Sequence, residues 1–217
     1  MTLQFYSGSG SPYAWRVWLA LEHKRLPYEL KMQSFSAGDL KKPEYLALNP
    51  RGRVPVIVDA GFSLYESAAI LEYLEDAYPK AGGALFGADA KSRALTRRLV
   101  READQYLAHA MEALVEILLF TPPEKWDAAA ITQAREDFLK ELAHFERELR
   151  GDFFAGDSAG AADFTVYPMV ALALRMEHKK KPDLGVKAAL GTNLRAWSRR
   201  IESLPYYDKT YPPHWKA

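Results

Sequence analysis

Residues Asn49 to Leu74, NPRGRVPVIVDAGFSLYESAAILEYL, leave the chain little choice of local structure. Asn49-Pro50-Arg51-Gly52 is a turn signal. Val54-Pro55-Val56-Ile57-Val58 is a β-branched run with a proline near its start, which a strand tolerates only at its beginning or edge. Asp59-Ala60-Gly61 reverses the chain, and Phe62-Ser63-Leu64 can return as the partner strand. Glu66-Ser67 then opens a helix, with Ile70, Tyr73, Leu74 and Ala77 recurring at helical spacing. A proline in this place suits a cis bond in a tight bend. A cis Val54-Pro55 bond would turn the Val54 amide and carbonyl out of the ladder, free to pair with a peptide-like ligand. Ser67 sits where free N–H groups and the positive helix end favour a carboxylate. Two polar, backbone-directed sites on adjoining elements imply a small zwitterionic peptide ligand.

The ordered set NP-x-G-x-VP followed by ES-x-AI-x-EYL resembles the glutathione-binding half of the cytosolic glutathione transferases. The chain upstream fits that resemblance. Leu3-Gln4-Phe5-Tyr6 is a short strand, and Ser7-Gly8-Ser9-Gly10 a loop. Ser11-Pro12 is a helix start, serine at the N-cap and proline at the first helical position. Ala14, Val17, Trp18 and Leu21 form the buried stripe, and His23-Lys24-Arg25 end the helix with the charge sign its dipole favours. Tyr28 to Met32 is a second strand and Lys41 to Leu48 a short helix. The order βαβ, then αββα, fits a thioredoxin-like α/β layer.

Beyond Ala81-Gly82-Gly83-Ala84 the pattern is helical. Leu99, Tyr106, Leu107, Ala110, Leu114 and Ile117 trace one stripe, which ends at Thr121-Pro122-Pro123. Trp126 to Leu149, Gly160 to Leu174 and Leu190 to Leu204 supply further helices, and Tyr211 to Trp215 is an irregular tail. We therefore expect a thioredoxin-like N-terminal domain over 1–80, a linker over 81–88 and an all-α C-terminal domain over 89–217. At Gly160 the resembled family usually has Ser or Thr, with Asp at the fourth position making a reciprocal cap. Glycine loses the side-chain acceptor, so the expected loss is about a few tenths of a kcal/mol, Asp163 still reaching the Gly160 N–H.

Composition narrows the function classes. Twenty-nine basic against 28 acidic residues give a formal charge of +1, so nothing draws the chain to nucleic acid or an anionic membrane. The absence of cysteine excludes disulfides, thiolate metal sites and a protein-borne redox thiol. The five histidines show no metal-binding spacing, and no apolar run approaches the ~18 residues of a membrane span. The expectation is a cytoplasmic protein without a metal.

What the resemblance implies follows residue by residue. Glutaredoxins carry Cys-Pro-Tyr-Cys where this chain has Ser11-Pro12-Tyr13-Ala14, so dithiol exchange is not available to it. In serine-type glutathione transferases (theta-, zeta-, phi- and tau-like) the active serine stands five positions before an Arg-Val pair. Ser11 stands so before Arg16-Val17 and is the matching residue, with Ser7 and Ser9 in reserve. Glutathione is the co-substrate and brings the thiol. Val54 would pair with its cysteinyl unit, Glu66 with the γ-glutamyl ammonium and Ser67 with the γ-glutamyl carboxylate. Arg53 and Lys41, or Lys42, would meet the glycyl carboxylate. A small hydrophobic electrophile would lie on Tyr13, Tyr106, His109, Ala110 and Trp215. The resemblance further implies a homodimer. Two other readings are a zeta-like glutathione-dependent isomerase and a non-catalytic binding or assembly module. Ser11-Pro12-Tyr13 departs from the isomerase pattern, and the retained serine and Glu66-Ser67 pair departs from the binder's.

Overall fold

The computed structural model describes residues 2–181 and 183–216. Alternation over the first four residues of β1 (Leu3–Gly8) turns Leu3 and Phe5 into the core and leaves Gln4 and Tyr6 half-buried, while Ser7 and Gly8 are both buried. Strand β1 is followed by α1 (Pro12–His23) and then β2 (Tyr28–Gln33), which pairs parallel to β1 with Leu3 opposite Tyr28. A one-turn 3₁₀ helix (Asp39–Lys41) and α2 (Pro43–Leu46) lead to β3 (Val56–Asp59) and β4 (Phe62–Tyr65). The β3–β4 reversal uses Ala60 and Gly61, both at positive φ (+49° and +88°), the geometry a two-residue hairpin needs. The sheet order is β2-β1-β3-β4, with β3 antiparallel to both its neighbours. Helix α3 (Ser67–Ala77) packs beside α1. A separate small core of Ala14, Tyr45, Val54 and Val56 seats α2. This is the expected thioredoxin-like layer, except that β3 begins at Val56 rather than Val54.

The rest is helical: α4 (Ala90–Glu102), α5 (Ala108–Val115), α6 (Ala128–Glu148), α7 (Ala161–Lys179), α8 (Val186–Ala189), α9 (Thr192–Glu202) and α10 (Tyr207–Thr210). Helices α4 and α5 form one run with π-helical turns at Ala103–Leu107 and Glu116–Phe120. Each π turn inserts a residue and slips the 3.6-residue stripe. Leu99, Leu107, Ala110 and Leu114 are buried as the stripe predicts, but Leu118 is buried where Ile117 was expected to be, and Tyr106 is 51% exposed. Residues 81–88 carry no helix or strand, but Leu85 and Phe86 within them are fully buried.

Helix α1 is the seam between the layers, packing on α3 and on α7. Its C-terminus works differently from the sequence expectation. Lys24 does not face solvent to complement the helix dipole; it is buried and donates to Glu75 Oε2 at 2.9 Å. The same oxygen accepts the Leu85 N–H at 3.0 Å, so one ion pair ties α1, α3 and the connector. Burial works to raise the Glu75 pKa, but Lys24 and the Leu85 N–H outweigh it and hold the carboxyl below its ordinary range.

The start of α7 bears out the expected reach of Asp163 to the Gly160 N–H and adds a reason for the glycine. Asp163 is fully buried and accepts from the Gly160 N–H (2.9 Å), the Phe154 N–H (3.0 Å) and Trp197 Nε1 (2.8 Å). Burial nevertheless pushes its pKa up to about 6, against those three donors. The glycine is there for space. A Cβ on Gly160 would lie 2.7 Å from the Leu85 carbonyl oxygen, which accepts the Ala161 N–H at 2.8 Å. A hydroxyl cap is thus excluded by the connector crossing the helix start.

Two outcomes follow for stability. Gly160→Ser, which restores a standard cap, should lower the unfolding free energy by about 1–3 kcal/mol in urea titration, because backbone must shift. Lys24→Met leaves buried Glu75 with only the longer contact to the half-exposed Arg93 (3.5 Å) and should cost about 2–3 kcal/mol at neutral pH. Since the folded Glu75 pKa is depressed, the pair's contribution is present above its unfolded value of 4.5 and is lost as pH falls below it. The wild-type advantage over Lys24→Met should shrink over that acid range.

Candidate active site

Helix α1 begins at the cleft edge. Ser11 has extended backbone (φ −72°, ψ 120°), and its Oγ accepts the Ala14 N–H at 3.3 Å. A hydroxyl has one proton and two lone pairs, and the cap uses only a lone pair. Among the described residues the Ser11 proton has no acceptor, and the residue lines a cleft. Capping and anion binding are therefore compatible in one side chain. The reserve serines differ. Ser7 is 2% exposed inside β1, and Ser9 Oγ lies 2.6 Å from His214 Nδ1. Burial first, and Arg175 second, lower the His214 pKa and so favour the neutral ring, one nitrogen of which can accept the Ser9 proton.

The Val54-Pro55 peptide is cis. The bend before it is pinned: the Arg53 carbonyl accepts from Tyr45 Oη at 2.8 Å and from Asn49 Nδ2 at 2.7 Å. Asn49 Oδ1 in turn accepts the Arg51 N–H at 3.0 Å, and its carbonyl the Gly52 N–H at 2.9 Å. Because sheet pairing starts at Val56 opposite Tyr6, the Val54 N–H and C=O have no partner among the described residues. They lie at the cleft wall.

Glu66 precedes α3 with φ +69° and ψ 103°, a region that costs a non-glycine residue on the order of 1–3 kcal/mol. It accepts the Ile70 N–H through its carbonyl, the first helical bond. Ser67 follows, buried, with its Oγ accepting from Arg16 Nη2.

Arg16 was used in the sequence only as a landmark, and it proves to be the hub of the site. It is 3% exposed; its Nη1 donates to Asp104 Oδ1 at 2.9 Å and to Thr165 Oγ1 at 3.3 Å. Its guanidinium also stacks over Tyr13, 5.4 Å from the ring centre. The available sequence signal was an arginine among the apolar residues of α1. Its partner Asp104 was not legible, because the π turn at Ala103–Leu107 carries it.

Two clefts of about 910 Å³ each adjoin here and share Tyr13, Arg53 and Glu112. The first is polar and includes Arg16, Arg51, Val54, Glu66, Ser67 and Asp104. The second is mainly apolar and includes Ser11, Phe35, Met111, Val115, Phe120 and Trp215. Tyr13 Oη donates to Glu112 at 2.6 Å, and burial with that carboxylate keeps the phenol protonated well above its ordinary range. Tyr106, His109 and Ala110 line neither cleft: the first two are exposed and Ala110 is core, since the π turn directs the 111–115–119 stripe inward instead. Lys41 is exposed and lines neither cleft, and Lys42 is paired with Asp39 at 2.7 Å. No cluster of three or more His, Cys, Asp or Glu suits a metal among the described residues, and no described helix is long and apolar enough to cross a membrane.

The geometry matches known proteins. The glutathione S-transferase N-terminal domain profile matches residues 10–77, and the C-terminal domain profile matches residues 128–200. Glutathione S-transferase A of Pleuronectes platessa is 30% identical, over 96% of this chain and 90% of its own length. Glutathione S-transferase 3 of Zea mays is 32% identical, over 96% and 92%. Among solved structures, poplar glutathione transferase F1 superposes with a TM-score of 0.86 at 29% identity, covering both chains completely. A Burkholderia graminis glutathione transferase, solved with two glutathione molecules per subunit, gives 0.86 at 25% identity over 100% of this chain and 90% of that one. A polar cleft at the start of α3, adjoining an apolar cleft at the start of α1, is thus found in a chain that belongs to the glutathione S-transferase family and acts as a glutathione transferase.

Proposed function

We propose that glutathione occupies the polar cleft with its sulfur at Ser11, where the thiol is held as thiolate for attack on a small hydrophobic electrophile in the apolar cleft. The observation that carries this is the Ser11 hydroxyl, whose lone pair caps α1 while its proton is left for an acceptor in the cleft. Val54 presents an unpaired N–H and C=O for the cysteinyl unit. Glu66 takes the γ-glutamyl ammonium. Ser67 donates its hydroxyl proton to the γ-glutamyl carboxylate, since its oxygen already accepts from Arg16. With Lys41 outside the cleft, the glycyl carboxylate falls to Arg53, with Arg51 beside it.

The energies suffice. A free thiol has a pKa of about 8.5, and lowering it by roughly two units needs about 2.7 kcal/mol. A hydrogen bond to a charged group contributes about 1.5–3 kcal/mol. The first-turn N–H groups of α1 add about 0.3–1 kcal/mol. Serine and helix end together reach the requirement. In the reaction the thiol proton leaves to solvent, the sulfur forms the new bond to carbon, and any leaving group departs with its electron pair.

We also infer a homodimer in the cytoplasm, which the family resemblance supports. The isomerase and the non-catalytic module have no observation in their favour.

Replacing Ser11 by Ala should raise the pKa of the bound thiol by about one to two units. The conjugation rate near neutral pH should then fall about tenfold or more, with the deficit closing as pH rises past the free-thiol pKa. An unchanged rate–pH profile would move the role away from Ser11. Ser67→Ala should act mainly on binding: calorimetric affinity for glutathione weakens about tenfold while the pH profile stays in place.

A further inference from the structure

The apolar cleft carries opposite charge on its two walls. The wall from α5 and the following π turn brings Glu112 and Glu116, and the wall from the C-terminal half of α7 brings Arg175, Lys179 and Lys180. Glu112 is occupied by the Tyr13 hydroxyl. Like most basic residues of the chain, the three cations form no ion pair within 4.0 Å among the described residues, so their charge is available to a ligand. Arg175 is half-buried, its guanidinium over the Trp215 ring at 5.1 Å from the centre. Its two nitrogens lie 3.5 Å from the carbonyls of Trp215 and His214, the outer limit of a hydrogen bond. A favourable helix-end charge accounts for Lys179 and Lys180, which close α7. It does not account for Arg175, a full turn earlier and held against the cleft by Trp215.

We propose that the electrophile pocket prefers hydrophobic electrophiles that carry a carboxylate away from the reacting carbon. The apolar body would lie on Met111, Val115, Leu172 and Trp215, and the carboxylate would meet the Arg175 fork. A guanidinium matches a carboxylate bidentately, and its present carbonyl contacts are long enough to be exchanged for better ones. Lys179 and Lys180 add attraction without geometry. Glu116 on the opposite wall repels an anion and so fixes which end of the ligand faces α7. This rests on the reading that glutathione fills the polar cleft.

The test compares chlorodinitrobenzene with its ring-carboxylated analogue, chlorodinitrobenzoate. In both, the thiolate forms a C–S bond to the ring carbon and chloride leaves with the C–Cl electron pair. For each, kcat/KM is divided by the uncatalysed second-order rate constant with glutathione at the same pH. The wild-type ratio should favour the carboxylate about tenfold at low salt, and the preference should decline as ionic strength rises. R175Q should remove most of that preference. K179Q/K180Q, a neutralisation at exposed positions, should lower the salt-dependent part of the preference. Equal treatment of the two substrates at all salt concentrations, or a preference that neither variant moves, overturns the proposal while leaving glutathione transfer intact. Absence of glutathione binding by calorimetry would overturn the glutathione reading itself, and this proposal with it.

Discussion

The Arg16 guanidinium is the interaction on which the site depends. A buried cation is costly unless paired and hydrogen-bonded, and Arg16 obtains its partners from three separate elements. Asp104 comes from the π turn, Thr165 from α7 and Ser67 from the start of α3. Because Arg16 lies within the second turn of α1, the helix that presents Ser11 cannot move relative to the helix that presents Ser67 without breaking a buried hydrogen bond of that cation. The separation of Ser11 and Ser67, the residues proposed to meet the sulfur and the γ-glutamyl carboxylate, is therefore held in part by a group that need not touch the sulfur.

The chemistry uses the same physical device twice. Both α1 and α3 aim their first turns at the cleft, and each opening residue supplies a hydroxyl. At Ser11 the hydroxyl oxygen is spent on the cap and the proton remains. At Ser67 the oxygen accepts from Arg16 and again the proton remains. Each serine thus keeps a donor free, which in the proposed complex faces a thiolate in one case and a carboxylate in the other. The positive φ of Glu66 is the local strain that lets the chain leave β4 and enter α3 facing this way. Between the two helix starts, Val54 leaves the sheet and offers backbone groups where a side chain could not reach.

Much of this was legible in the sequence because it is local. The Ser11-Pro12 helix start, the Val54-Pro55 bend, the Ala60-Gly61 reversal and the Glu66-Ser67 opening are each set by residues within a few positions of one another. What escaped depends on distant partners. Nothing near Gly160 reveals that the Leu85 carbonyl occupies the space of its side chain. Lys24 has the look of a dipole-complementing helix end until Glu75 is brought against it. The π turns shift the stripe of the α4–α5 run, so the electrophile wall passes to Met111, Val115 and Leu119 instead of Tyr106, His109 and Ala110. Of the expected wall Tyr13 and Trp215 remain, the first a residue of α1 and the second packed on Trp15 of that helix.

The central claim is that the protein holds a borrowed sulfur as an anion. Ultraviolet difference titration of the glutathione complex reads that thiolate directly. The account predicts a bound-thiol pKa about two units below the free value of about 8.5. A bound thiol that titrates at or above its free value would contradict it.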